Sequence, residues 1–212
     1  FEEELATLKR FAQYYDRLLR PQHEPNQAVR GRLQRLNVLE IATGYPFLLF
    51  IYDRWQRRIL STHQFLEGLS IVETYMVRRF LNRDSTNYLN KMFPSLPKDL
   101  DLTHFTSSLR HQLGERNEPT DVRLRQSAEM VSIYRRDSYT RRKLGLILET
   151  INRHMSKGTG AYTVLSDDPT IEHIMPQTLT DDWMRHMGPN WLQDHELLHT
   201  LGNLTLVTQH WN

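Results

Sequence analysis

The chain has 212 residues, 39% of them hydrophobic and 25% charged, with a formal net charge of only +2. This is the make-up of an ordinary globular protein, long enough for one large domain or two small ones, and not of a polycation. It contains no cysteine, which excludes disulfides, thiolate zinc sites and Cys nucleophiles, and no apolar run nears the roughly 20 residues needed to span a bilayer.

Residues 1–20 carry Leu5, Leu8, Phe11, Tyr15, Leu18 and Leu19 at helical spacing, which predicts an amphipathic helix stopped by Pro21. The polar segment from Gln22 to Gln27 reads as a connection. A second helical stretch holds Leu33, Leu36, Val38 and Leu39 and ends near Gly44, and Pro46 then opens a third that runs through Arg57. Ser61-Thr62-His63-Gln64 has the form of a capping box, with Ser61 as N-cap and Gln64 three residues on. The helix it starts is expected to bury Phe65, Leu66, Leu69, Val72, Tyr75 and Met76. A short helix through Tyr88, Leu89 and Phe93 should stop at Pro94, followed by helices over 102–113, 121–135 and 139–155. In the last of these, Leu144, Ile147, Leu148, Ile151 and His154 share one face.

The texture changes after Lys157-Gly158-Thr159-Gly160. Tyr162–Leu165, Thr170–Ile174 and Leu204–Thr208 are rich in β-branched residues and read as short strands. The expected fold is mainly α, a multi-helix domain over 1–156 followed by a small β-containing unit over 157–212. Basic residues are bunched at Arg57-Arg58, Arg78-Arg79, Arg135-Arg136 and Arg141-Arg142-Lys143. Of these, Arg135, Arg136, Arg141, Arg142 and Lys143 are the candidates for phosphate contacts, since guanidinium forks match phosphate geometry. Trp183, His186 and Trp191 read as one loop, either anchored in the core or available to stack on bases.

Two motifs in the last fifth of the chain point to different chemistry. His195-Glu196-Leu197-Leu198-His199 matches His-Glu-x-x-His, which on a helix sets two imidazoles one turn apart for zinc. Its third ligand is missing. Thr205 stands where a metzincin needs His, and no Glu follows Glu196. His195 and His199 are therefore expected as surface or capping residues of a short helix, with Leu197, Leu198 and Leu201 as its core face. The second motif is more complete. His173 can act as a general base near neutral pH. Glu172 and Asn212 offer hard oxygen ligands suited to Mg²⁺. Adjacent strand residues point to opposite faces unless the strand ends or bulges, and Pro176 makes an ending at this point.

The wording Glu172-His173-Ile174-x-Pro176, then Gly202-Asn203-Leu204-x-Leu206, then Asn212 resembles the HNH (His-Me finger, ββα-metal) nucleases. Their pattern is Asp/Glu-His-Ile-x-Pro, then Asn-Leu, then His or Asn nine residues after the central Asn. The resemblance implies that Glu172 and Asn212 hold one divalent metal, Mg²⁺ or another such as Mn²⁺, and that His173 activates water. It also implies that Asn203 pins the loop orienting His173. Thr170-Ile171-Glu172-His173-Ile174-Met175-Pro176-Gln177 and Leu198-His199-Thr200-Leu201-Gly202-Asn203-Leu204-Thr205-Leu206 resemble, more narrowly, the C-terminal nuclease module of GmrSD-type modification-dependent restriction enzymes. The phosphorothioate-sensing Ssp phage-defence effectors share that module. A bacterial, cytoplasmic nuclease acting on double-stranded DNA is then expected, partnered by an N-terminal nucleotide-hydrolysing sensor domain of the same parent chain, with no membrane role. The alternative is a helical DNA- or partner-binding module with a degenerate, inactive finger. The chain starts at Phe1 and stops at Asn212, where the finger's last helix should begin, so it reads as a C-terminal piece with that helix missing or truncated.

Overall fold

The computed structural model describes residues 1–157, 169–189 and 191–207. The expected strand at Tyr162–Leu165, the ligand Asn212 and His210 lie outside the described residues. Two compact units emerge. One comprises Phe1–Phe80 with Asp84–Pro119, the other Leu81–Arg83 with Thr120–Asn212. The fold is mainly α with a small antiparallel β pair near the C-terminus, as the sequence predicts.

The first unit is built from α1 (Glu2–Leu19), α2 (Gln27–Val38), α3 (Tyr45–Gln56), α4 (Thr62–Leu81), α5 (Leu89–Ser95) and α6 (Phe105–Gly114). Local signals set most of their ends. The Asn26 side chain accepts the Val29 amide to cap α2, and Pro46 sits in the first turn of α3, where its missing N–H costs nothing. The capping box forms both of its bonds: Ser61 Oγ accepts from the Gln64 amide at 3.2 Å and Gln64 Oε1 from the Ser61 amide at 2.9 Å. Pro94 does not end α5, which runs on to Ser95 and into a 3-10 turn over Leu96–Lys98. The core contains Phe47, Ile51, Tyr52, Phe65, Leu69, Val72, Tyr75, Phe93, Phe105 and Leu109, all fully buried. The stripe expected on α1 is buried only in part. Tyr14 and Leu18 face inward, whereas Leu5 and Leu8 are 56% and 67% exposed.

Buried charge in this unit is paired, as it must be in a low-dielectric interior. Glu24 accepts from the Tyr52 hydroxyl and the Asn26 amide, with Arg17 beside it. Burial and that carboxylate push the Tyr52 phenol well above its ordinary range. Glu73 is held by Arg35 at 2.6 Å and by Arg32 at 3.2 Å. The Arg78-Arg79 pair is also committed to the fold. Arg78 donates to the Pro119 carbonyl at 2.7 Å, and buried Arg79 donates to the Ser85 carbonyl at 2.5 Å.

The second unit holds α7 (Asp121–Met130), α8 (Ser138–Met155), β1 (Thr170–His173), α9 (Asp181–Met187), α10 (Trp191–Glu196) and β2 (Leu204–Val207). Thr120 and Asp137 cap α7 and α8 through the Arg123 and Thr140 amides. The buried face of α8 is Thr140, Lys143, Leu144, Ile147 and Leu148, and α8 packs against both strands. Ile151 and His154, expected on that face, are exposed. The helix predicted to reach Arg135 ends five residues early at Met130; Val131 turns to extended backbone, and residues 131–135 form neither helix nor strand. Their amides have another partner, described below. The strands pair Thr170 with Val207, Ile171 with Leu206, Glu172 with Thr205 and His173 with Leu204, with no bulge. Trp183 and His186 lie on α9 and Trp191 on α10, not in one loop, and Trp183 is 38% exposed. Among the described residues, no helix is long and apolar enough to cross a membrane.

Candidate active site

The end of β1 is where the chemistry-bearing residues meet. His173 is the strand's last residue, and its cross-strand partner Leu204, the first residue of β2, is buried. Side chains alternate along a strand, so Glu172, opposite Thr205, leaves from the other face. The regular register means that no bulge turns the two toward each other within the pair.

Asn203, immediately before β2, closes the loop that follows His173. Its Oδ1 accepts from the Met175 amide at 2.8 Å, and its Nδ2 donates to the Leu198 carbonyl at 2.8 Å and the Met175 carbonyl at 3.3 Å. Its own carbonyl accepts from the Ile174 amide at 2.9 Å. Asn suits the position because one planar amide supplies both the acceptor and the two donors. The bonds tie two segments together: the exit of β1 at Ile174 and Met175, and the turn at Leu198 that leads back into β2.

Around His173 lie residues that spacing did not single out. Its Nε2 is 3.1 Å from Nδ1 of His199, and its Nδ1 is 3.3 Å from the amide nitrogen of exposed Gln177. Tyr134 stands edge-on to His173, with ring centroids 4.6 Å apart, and stacks on His199 at 5.5 Å with a 24° interplanar angle. The backbone explains how Tyr134 arrives there. The His199 carbonyl accepts from the amides of Ile133 at 2.9 Å and Tyr134 at 3.2 Å, which are the amides that would otherwise have continued α7.

This corrects the reading of His199. The helix α10 stops at Glu196, so His195 and His199 are not one turn apart on a helix, and His199 turns toward His173 rather than to the surface. Of the expected core face, Leu198 is buried but Leu197 is 40% exposed. Among the described residues, no group of three or more His, Asp or Glu side chains forms a metal cluster. The signal for His199 lay in its place four residues before Asn203, on the segment that Asn203 holds.

The electrostatics of the two imidazoles run the same way. Burial lowers both below the ordinary 6.5, His199 adding to the effect on His173 while Glu172 opposes it. His195 and Arg136 add to the effect on His199. The unfolded chain therefore binds a proton at His199 more readily than the native one does. The associated stability is fully present above about 6.5 and is lost as pH falls through the lowered native value. Thermal unfolding of the metal-free protein by circular dichroism between pH 7.5 and 5 is expected to show this acid-side loss, reduced in His199→Phe; an unchanged slope in the variant would count against it.

The basic candidates divide. Arg135 and Arg136 are exposed on the non-helical segment next to Tyr134, and Arg136 is near enough for its charge to act on His199. Arg141 and Arg142 are exposed on the first turns of α8. Lys143 is set apart from them: it is only 4% exposed, and its ammonium sits 3.5 Å over the centre of the Tyr139 ring. For a divalent cation, Glu172 offers a half-buried carboxylate to which no hydrogen bond or ion pair is made among the described residues. One hard oxygen donor of that kind fits Mg²⁺, which takes few protein ligands and keeps water in its shell.

Comparison with curated proteins gives no match, and neither does comparison with solved structures. Residues 118–212 match the family model described as GmrSD restriction endonucleases, C-terminal domain. From α7 to its last residue the chain is thus similar to the C-terminal region of the GmrSD restriction endonucleases, the resemblance that its His173 and Asn203 wording implies.

Proposed function

We propose that the C-terminal part of this chain is an HNH-type, metal-dependent DNA endonuclease of a bacterial restriction or phage-defence protein, working in the cytoplasm. The observation that carries the reading is the Asn203 clasp. A central asparagine holds the backbone just beyond the histidine at the end of the first strand, as an organising residue for a general base must. The match over 118–212 to a restriction endonuclease domain supports the same class of chemistry.

In this reading His173 takes a proton from a water molecule. The hydroxide formed bonds to phosphorus of a DNA phosphodiester, the bond to the departing sugar oxygen breaks, and that oxygen is protonated from solvent. Glu172 and Asn212 would hold one Mg²⁺ or similar cation, which supplies charge stabilisation for the phosphate and the departing oxygen. Asn203 keeps the His173 loop in place. Arg135, Arg136, Arg141 and Arg142 contact DNA phosphates, and Lys143, beneath them, supports the first turns of α8. An N-terminal nucleotide-hydrolysing sensor domain of the parent chain would license cutting.

The test is incubation of the protein with supercoiled plasmid and Mg²⁺ or Mn²⁺. Conversion to open circles or linear DNA that a chelator abolishes is the expected result. Intact plasmid together with a salt-dependent mobility shift would replace the nuclease with a DNA-binding module.

A further inference from the structure

We propose that His199 is the positioning residue of the His173 base: its Nδ1 accepts the Nε2 proton of His173 and thereby presents the other nitrogen, Nδ1, to the attacking water. The inference rests on the reading of His173 as the base and adds the residue that sets its tautomer and aim.

With the Gln177 amide nitrogen facing His173, the contacts of the two rings point to one tautomer pair. Gln177 brings an amide N–H group to Nδ1 of His173, so Nδ1 is the acceptor and carries no proton. A neutral imidazole then has its proton on Nε2, and the atom 3.1 Å away is His199 Nδ1, which must accept it. His199 in turn keeps its own proton on Nε2. In an imidazole, the bond made by one nitrogen decides which state the other is in. Here the inner nitrogen is committed to His199, while the outer one meets, among the described residues, an exposed amide side chain that a water can replace.

The surroundings hold His199 in that orientation. Its carbonyl receives two amides from the Ile133–Tyr134 segment, and the preceding carbonyl, of Leu198, is gripped by Asn203. Tyr134 stacks on its ring and stands edge-on to His173, so neither ring can swing out of its plane without losing an aromatic contact, and a flip of the His173 ring would break its bonds to His199 and Gln177. When His173 takes up the proton from water at Nδ1, its Nε2–H continues to donate to His199. The charged ring is thus stabilised without moving.

Two substitutions separate the acceptor from the ring. His199→Asn places an amide oxygen where Nδ1 was and loses the stack, whereas His199→Phe keeps a ring for Tyr134 and removes the acceptor. Proton-nitrogen correlation spectra of the metal-free protein report the His173 tautomer directly, and plasmid nicking with Mg²⁺ reports the consequence. In wild type and His199→Asn, the His173 proton is expected on Nε2, with kcat preserved to within about threefold in the variant. In His199→Phe the preference for Nε2 should be lost and kcat should fall about 10–100-fold, the usual cost of losing an orienting partner, with KM for DNA unchanged.

A wild-type spectrum with the proton on Nδ1 overturns the proposal, as does His199→Phe nicking at the wild-type rate or His199→Asn failing as badly as His199→Phe. The wild-type spectrum requires neither variant to fold and no cleavage to occur. Full activity in His173→Ala would instead remove the base reading itself, a failure distinct from a normal His173→Ala loss with an unaffected His199→Phe.

Discussion

Asn203→Asp is expected to cost both stability and activity although it replaces one atom. The new carboxylate still accepts from the Met175 amide, but it has no N–H for the carbonyls of Leu198 and Met175, now facing an oxygen. Each carbonyl left without its donor in a half-buried setting costs about 1 kcal/mol or more, giving a total of roughly 2–3 kcal/mol. The loss should appear as a lower midpoint in urea unfolding at pH 7.5. Protonating the carboxylate returns one donor, so part of the deficit should be recovered in acid. The effect on chemistry is larger. Met175 is two residues beyond His173, and its release would let the proposed base drift; a displacement of about 1 Å costs on the order of 10²-fold in rate. Plasmid nicking should fall by about that factor with DNA binding unchanged. If Asn203→Asp unfolds at the wild-type midpoint and nicks at the wild-type rate, the clasp is not what orients the base.

The contrast between legible and illegible parts of this chain follows the range of the interactions involved. The Ser61–Gln64 box was readable because both of its bonds are made within one turn. The two described strands were readable from their β-branched residues and from the turn signals around them, and both are where the sequence put them. Residues 131–135 were not. The helix predicted from the sequence runs through them although Val131, Ile133 and Tyr134 are poor helix formers, and the amides of Ile133 and Tyr134 are taken by the His199 carbonyl, far along the chain. The α1 stripe fails for a related reason: the spacing of Leu5 and Leu8 is helical, but spacing alone says nothing about whether a neighbour covers them.

The site shows the same division. His173 and Asn203 were legible as a family wording, and the structure places the Asn203 side chain on the backbone just past His173. His199 was hidden by a motif that fits it by chance. The five-residue match to a zinc helix assigned it a helical neighbour, whereas its real neighbour lies across the unit on β1. Tyr134 and Gln177 had no signal in spacing, because a ring edge and an exposed amide carry no pattern until the fold brings them to one imidazole.

His173→Ala is expected to reduce nicking by about 10²–10⁴-fold, the usual contribution of a positioned general base, while leaving DNA binding intact. The separation is possible because the groups assigned to phosphate, Arg135 and Arg136, lie on the segment before α8 and do not depend on the His173 side chain for their place. That segment is fixed by backbone bonds to the His199 carbonyl, which the substitution does not touch. Removal of the ring leaves His199 Nδ1 without its partner, at a cost of about 1 kcal/mol for a half-buried acceptor that water can reach, so the variant should remain folded. It also opens a ring-sized space between Tyr134, His199 and Gln177. Imidazole added in solution should enter that space and restore part of the rate in His173→Ala, rising with imidazole concentration, with no effect on wild type. Rescue would identify the missing element as a proton acceptor. A variant that nicks at more than about a tenth of the wild-type rate would assign the base to another residue.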